Sequence, residues 1–266
     1  MIIDFHTHMF PDKIAQATLS SLSEVSHIKP YTDGTYEGLK ASTNRAGIDL
    51  SVVLPVATSP KQFDSVNRFA LEHSKDEILS FGCIHPDNSD YKEKLNWLKE
   101  QGFKGIKLHP DYQEAFFNDI RYKRIVSYAT ELGLIICVHA GRDPKSPDLI
   151  HCTPQMALEV IEEVQPDKLV LAHMGGNDQW EEVEELLVGR NVYFDTGVVL
   201  NRMPQEQFLR IVRNHGSNRI LFGTDSPWAD QKEFVELLDQ MPLDDKEKED
   251  IYSGTARSLL GTENPA

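Results

Sequence analysis

The chain has 266 residues, 40% of them hydrophobic, and its 42 acidic against 27 basic side chains give a formal net charge of −15. The acids are spread along the chain with no Lys/Arg-rich stripe between them, so a phosphate backbone would be repelled and nucleic acid is excluded as a partner. The start lacks a basic segment followed by an apolar leader, no apolar run is long enough to span a bilayer, and the three cysteines cannot all pair; together these predict a soluble cytoplasmic protein with no membrane partner.

Taken in chain order, short apolar or β-branched runs recur as MIIDF, LSVVLPV, ILSFGCI, FKGIKL, LIICV, KLVLA, NVYFD and RILF. Cys83 and Cys137 fall inside two of them, where a free thiol behaves as a small buried hydrophobe. Between the runs, apolar residues return at helical spacing around Tyr91, Leu95 and Leu98, around Met156, Val160 and Val164, and around Phe208, Ile211 and Val212. Gly102 and Gly133 read as helix stops, and Thr153-Pro154 as an N-cap with proline in the first turn. The detour from about Lys13 to Leu50 has room for two helices, and the acidic stretch from Asp244 to Asp250 reads as the solvated start of a last helix. Continuous apolar strands alternating with helices imply a parallel sheet buried on both faces. Eight such units predict an α/β fold, a TIM-type (β/α)8 barrel, slightly elaborated, as one domain over residues 1–266. An open doubly wound sheet would carry a Gly-rich loop after its first strand, and this chain has HTHMFP there.

In a parallel barrel the residues just past the strand ends collect on one face. The first strand ends in His6 and His8, the third in His85, the fourth in Lys107 and His109, the fifth in His139, the sixth in His173 and the eighth in Asp225. His27, His73, His151 and His215 show what background placement looks like. Residues two apart in a strand share a face, with Cα atoms about 6.5 Å apart, so His6 and His8 can reach a common ion. A single His-x-His is weak evidence, and convergence of several strand tips is what strengthens it. An imidazole closing a run such as LIICV needs a polar partner or a metal to offset its desolvation. Asp225 ends the last strand, which lies beside the first in a closed barrel. Imidazole nitrogens with one carboxylate suit zinc or a similar divalent ion, with room left for water.

The stretches DFHTHMFP, GFKGIKLHP, LIICVHAG, LVLAHMGG, LFGTDSPW and YSGTARSLLG resemble the amidohydrolase superfamily, in its branch of amidohydrolase-related, metal-dependent hydrolases with the TIM-barrel fold, and they follow the family's order over nearly the whole chain. The resemblance implies one divalent ion, zinc first with manganese or iron as alternatives, held by His6, His8, His139 and Asp225. It implies that His173 binds or polarises the attacking water or the substrate carbonyl. Thr255 before Ala256 departs from the family's usual asparagine-alanine pair, in a helix that packs the barrel rather than the site.

Lys107 has two readings: a carboxylated bridge to a second ion held by His139 and His173, which is the less favoured, or an anchor for a substrate carboxylate. Arg142 is placed to grip an anionic substrate or to stand as a solvated loop charge. His109 and Trp228 are further candidates for lining the substrate pocket. The leading functional expectation is a hydrolase acting on an amide, ester or lactone carbonyl of a small substrate, anionic if Lys107 and Arg142 serve it, with Asp225 passing the water's proton to the leaving group. The alternatives are non-oxidative decarboxylation of an aromatic or unsaturated acid, and a non-catalytic metal-binding module. The partner is a small molecule, and a homo-oligomer is allowed.

Overall fold

Strand β1 (Ile3–Thr7) is buried along its whole length and opens a chain whose computed structural model describes residues 1–262. After it come α1 (Asp12–Ser26), α2 (Tyr36–Ala46), β2 (Leu50–Val53), α3 (Phe63–Glu72), β3 (Ile78–Ser80), β4 (Gly82–Cys83), α4 (Tyr91–Glu100), β5 (Gly105–Leu108), α5 (Ile120–Glu131) and β6 (Ile135–Val138). The chain continues through α6 (Pro154–Val164), β7 (Leu169–Leu171), α7 (Trp180–Leu186), β8 (Tyr193–Asp195), α8 (Gln205–His215), β9 (Ile220–Leu221), α9 (Gln231–Gln240) and α10 (Asp245–Glu249), then a π-helical turn (Asp250–Gly254) and α11 (Thr255–Leu260).

All eight expected strands are present, and the third is broken at Phe81 into β3 and β4. The two expected helices fill the detour before β2. Gly102 and Gly133 follow α4 and α5 with φ of 87° and 67°, the left-handed conformation that glycine adopts without a Cβ penalty. Thr153 caps α6 by accepting the Met156 N–H, with Pro154 in the first turn. Asp244 and Glu247 form a capping box at α10. All three cysteines are buried free thiols.

The residues group into two compact units. The first comprises Met1–Val53, His73–Leu79 and the chain from Asp195 onward. Its strands β1, β2 and β3 lie side by side in that order. β1 and β2 run parallel, with a register slip between Asp4 and Thr7, and such irregularities re-aim side chains at the end of a strand. On its other edge β1 meets the segment around β9, through Phe5 N–H to Phe222 O, Asp225 N–H to His6 O and His8 N–H to Ser226 O, each 2.7 Å. Phe5, Leu39, Val52, Phe222, Phe234 and Ile251 form its core.

The second unit comprises Leu54–Glu72 and Ser80–Phe194. Within it β4, β5, β6, β7 and β8 form consecutive parallel pairs. Every residue of β5, β6 and β7 is buried, which explains why β6 and β7 read as unbroken apolar runs, with Lys107 the one interruption in β5. Among the described residues no helix is long and apolar enough to cross a membrane.

Candidate functional site

In the first unit the end of β1 and the segment after β9 bring His6, His8 and Asp225 together, with their ligand atoms within 4.8 Å of one another. Asp225 Oδ1 is 2.9 Å from His8 Nε2 and 3.4 Å from His6 Nε2. The other nitrogen of His6, Nδ1, lies 2.9 Å from Asp195 Oδ2, and both side chains are about fully buried at 1% exposure. A carboxylate at Nδ1 keeps the proton there and turns the Nε2 lone pair toward the site, as around metal-bound histidines. Asp195 is itself held by the Gly197 N–H at 2.9 Å. A Cβ at Gly197 would stand 3.0 Å from His6 Nδ1, so a larger residue there would press on that ring. Asp225 adopts φ of 69°, a strained conformation of the kind that clusters at functional sites.

Asp4 braces this group from beneath. One carboxylate oxygen accepts the His6 and Thr224 N–H groups at 3.2 and 3.0 Å, and the other accepts the Thr224 hydroxyl at 2.6 Å and the Gln231 amide at 2.8 Å. Burial pushes its carboxyl up to about 7, against the pull of those four donors. Trp228 donates its N–H to Asp225 O at 2.9 Å. With Lys29, Tyr31 and Arg202, Trp228 lines a cavity of about 680 Å³.

In the second unit the expected residues His109 and His139 form a different group, joined by Asp143. His173 Nε2 lies 3.0 Å from His139 Nδ1. His173 is 2% exposed, adopts φ of 58°, and its carbonyl accepts the Trp180 indole N–H at 3.1 Å. Lys107 lies inside β5 at 1% exposure. Arg142 is exposed and donates to the Pro147 carbonyl at 2.6 Å. His85 accepts the Asp87 N–H through Nδ1 at 3.1 Å, and burial holds its pKa below the usual imidazole value.

Sequence reasoning missed Asp195, Asp111 and Asp143, and it placed His151 in the background set. Asp195 closes NVYFD, so the strand-tip rule applied to the seventh strand would have found it. His151 is buried and its Nδ1 is 2.9 Å from Asp111 Oδ1. No local periodicity marks that pairing.

The His6, His8 and Asp225 set fits a divalent ion on chemical grounds: two imidazoles, one of them fixed by a buried carboxylate, share one carboxylate oxygen. The family model described as Amidohydrolase matches residues 3–262. Among curated proteins none matches the sequence. An uncharacterized TIM-barrel protein from Bordetella bronchiseptica superposes with a TM-score of 0.76 at 16% identity over 98% of each chain. A 5-carboxyvanillate decarboxylase from Novosphingobium aromaticivorans, solved with manganese and 4-hydroxy-3-methoxy-5-nitrobenzoic acid, gives 0.75 at 13% identity over 98% of this chain and 96% of that one. A Pseudomonas putida protein named for 2-pyrone-4,6-dicarboxylic acid hydrolysis gives 0.68 at 15% identity over 99% and 98%. The fold is the TIM-type α/β barrel, and the chain belongs to the amidohydrolase family.

Proposed function

We propose that this protein is a metal-dependent hydrolase acting on an amide, ester or lactone carbonyl of a small anionic substrate. The observation that carries the reading is the built half-cage in the first unit, where Asp195 fixes His6 at Nδ1 while His6 and His8 present Nε2 to one oxygen of Asp225. These three residues would hold the ion, most suitably zinc, with manganese or iron as alternatives. The family resemblance adds His139 as a fourth residue that would hold it. When bound, such an ion lowers the pKa of a water toward neutrality and polarises a carbonyl.

Asp225 would take a proton from the attacking water and return it to the leaving group, and His173 would polarise the carbonyl or orient the water. Lys107, His109, Arg142 and Trp228 are the residues proposed to meet the substrate, with Arg142 suited to a carboxylate once it leaves the Pro147 carbonyl. The single barrel domain works in the cytoplasm, where its three buried thiols stay reduced.

The second reading, decarboxylation of an aromatic acid, is favoured by the decarboxylase among the structural relatives. Hydrolysis places a solvent oxygen in the product and releases no CO₂, and decarboxylation does the reverse. A screen of lactones, esters, amides and aromatic acids, followed for ¹⁸O incorporation and CO₂ release, separates them. Metal-dependent CO₂ release without ¹⁸O in the product rejects the hydrolase.

A further inference from the structure

The cavity beside Trp228 is built from three segments of the first unit. The segment after α1 supplies Ile28, Lys29 and Tyr31, the segment after β8 supplies Val198 and Arg202, and the segment after β9 supplies Trp228. Its volume of about 680 Å³ lies within the range of about 300 to 1,000 Å³ usual for small-molecule sites.

Backbone hydrogen bonds tie all three segments to the stretch that carries Asp225. The Trp228 N–H donates to Asp225 O at 2.9 Å, the Tyr31 N–H to Pro227 O at 2.8 Å and the Val198 N–H to Thr224 O at 3.2 Å. The first of these closes a four-residue turn, which keeps the Cα atoms of Asp225 and Trp228 within about 7 Å. A small molecule with one end at the His6, His8 and Asp225 group therefore has this cavity within reach of its other end.

The sequence also sets where Lys29 stands. Helix α1 stops at His27, whose φ of 59° is left-handed and whose N–H returns to Ser23 O at 2.9 Å. Pro30 fixes its own φ, and Tyr31 is stitched to Pro227. Lys29 thus lies on a few residues pinned at both ends, with only its side chain left to adapt.

The chemistry of the lining is selective. It carries two cations, Lys29 and Arg202, and no carboxylate, in a chain whose net charge is −15. Among the described residues no carboxylate pairs with Lys29. Tyr31 is 52% exposed and Trp228 half-buried, so two aromatic side chains stand at the cavity with surface to offer. Such rings take the apolar body of a ligand, and an ammonium takes its anionic end.

We propose that this cavity is the subsite for the non-reacting end of the substrate, a carboxylate on an apolar body, with Lys29 gripping the carboxylate and Tyr31 and Trp228 flanking the body. Lys29 is then a specificity-determining residue supplied by the same unit as His6, His8 and Asp225. The assignment rests on the hydrolase reading for its purpose, which is to hold that end while the carbonyl reacts.

The test uses the full-length protein as purified, labelled with ¹⁵N, and two probes, 3-phenylpropanoate and its neutral amide 3-phenylpropanamide. The indole N–H signal of Trp228 is assigned by its absence from Trp228→Leu. The acid is expected to shift that signal saturably, and the amide to do so with about tenfold weaker affinity, the low end for a hydrogen bond to a charged group because Lys29 is exposed. Lys29→Gln is expected to bring the acid to the level of the amide. An unmoved Trp228 signal up to the solubility limit of the acid overturns the subsite, as does equal affinity of the wild-type protein for acid and amide. A preference for the acid that survives Lys29→Gln also overturns it, and its loss in Arg142→Gln instead would move the carboxylate to Arg142. If Trp228→Leu does not fold, Trp228→Phe assigns the same signal. No turnover enters this titration, so its failure leaves the hydrolase reading standing, and failure of the ester and lactone screen leaves the acid-binding subsite standing.

Discussion

A single methyl group at Gly223 tests whether the position of His6 is set by close packing. A Cβ at that residue would stand 2.9 Å from His6 Cβ, 3.4 Å from Asp195 Cβ and 3.5 Å from His6 N. Carbon atoms meet at about 3.5 to 4.0 Å, so in Gly223→Ala either His6 or the segment carrying residue 223 must move by about 0.6 Å or more. Metal sites hold their ligand distances to about ±0.2 Å, and the displacement is several times that tolerance. Any shift of His6 also disturbs its 2.9 Å contact with Asp195, which orients the ring. The expected result is a fall in affinity for the ion of about 10- to 100-fold, the size of effect seen when the support of a metal ligand is disturbed. An overpacking cost of about 1 to 3 kcal/mol should accompany it. Competition against a chromophoric chelator measures the first quantity, and urea unfolding of the metal-free protein the second. An affinity within twofold of wild type together with unchanged stability would refute the reasoning, since it would mean that the strand yields without carrying His6 with it.

Asp195→Asn should weaken the same ion by about 10- to 100-fold by loosening the tautomer and angle of His6; chelator competition checks it, and an unchanged affinity removes Asp195 from the support of the site. His173→Asn should keep the ion while turnover falls by about 100-fold or more, the usual range for losing a general acid or base; full activity removes His173 from the mechanism. Burial pushes the Cys83 thiol up to about 12 and raises Cys152 well above the usual thiol value. A raised thiol pKa favours the folded protein below the ordinary value near 9, and that advantage is lost as pH rises toward 12. At pH 8 both thiols are therefore neutral as well as buried, and a thiol reagent should label neither until the protein unfolds; rapid labelling of the native protein would contradict that.

The strands and the grouping of His6, His8 and Asp225 were legible in the sequence because both depend on local order. Parallel strands buried on two faces must be nearly continuous apolar runs, so β5, β6 and β7 announced themselves, and polar residues ending such runs had to be strand tips. His6, His8 and Asp225 followed from that logic alone. The break at Phe81 did not, because nothing in ILSFGCI interrupts the apolar pattern. The Asp111 and His151 pairing joins residues in the loops after β5 and β6, forty positions apart, where no period links them. Lys107 lies inside β5 at 1% exposure, and strand parity gives the side of a long side chain but not how far it extends.

The hydrogen bonds that join β1 to the segment after β9 also impose an order of events during synthesis. Phe5 and His8 are made early, yet the Phe222 and Ser226 carbonyls that complete their edge are made long afterwards. Until then one side of an apolar strand can pair only with β2, and the other must wait. The second unit has no such delay in its strands, since β4 through β8 follow one another without interruption. Contacts between distant parts of a chain form slowly and leave unpaired edges exposed meanwhile. During translation the cluster around His109 and Asp143 can therefore assemble well before His6 finds Asp225. A nascent chain arrested before residue 222 would carry a finished set of side chains in one unit and a strand still seeking its neighbour in the other.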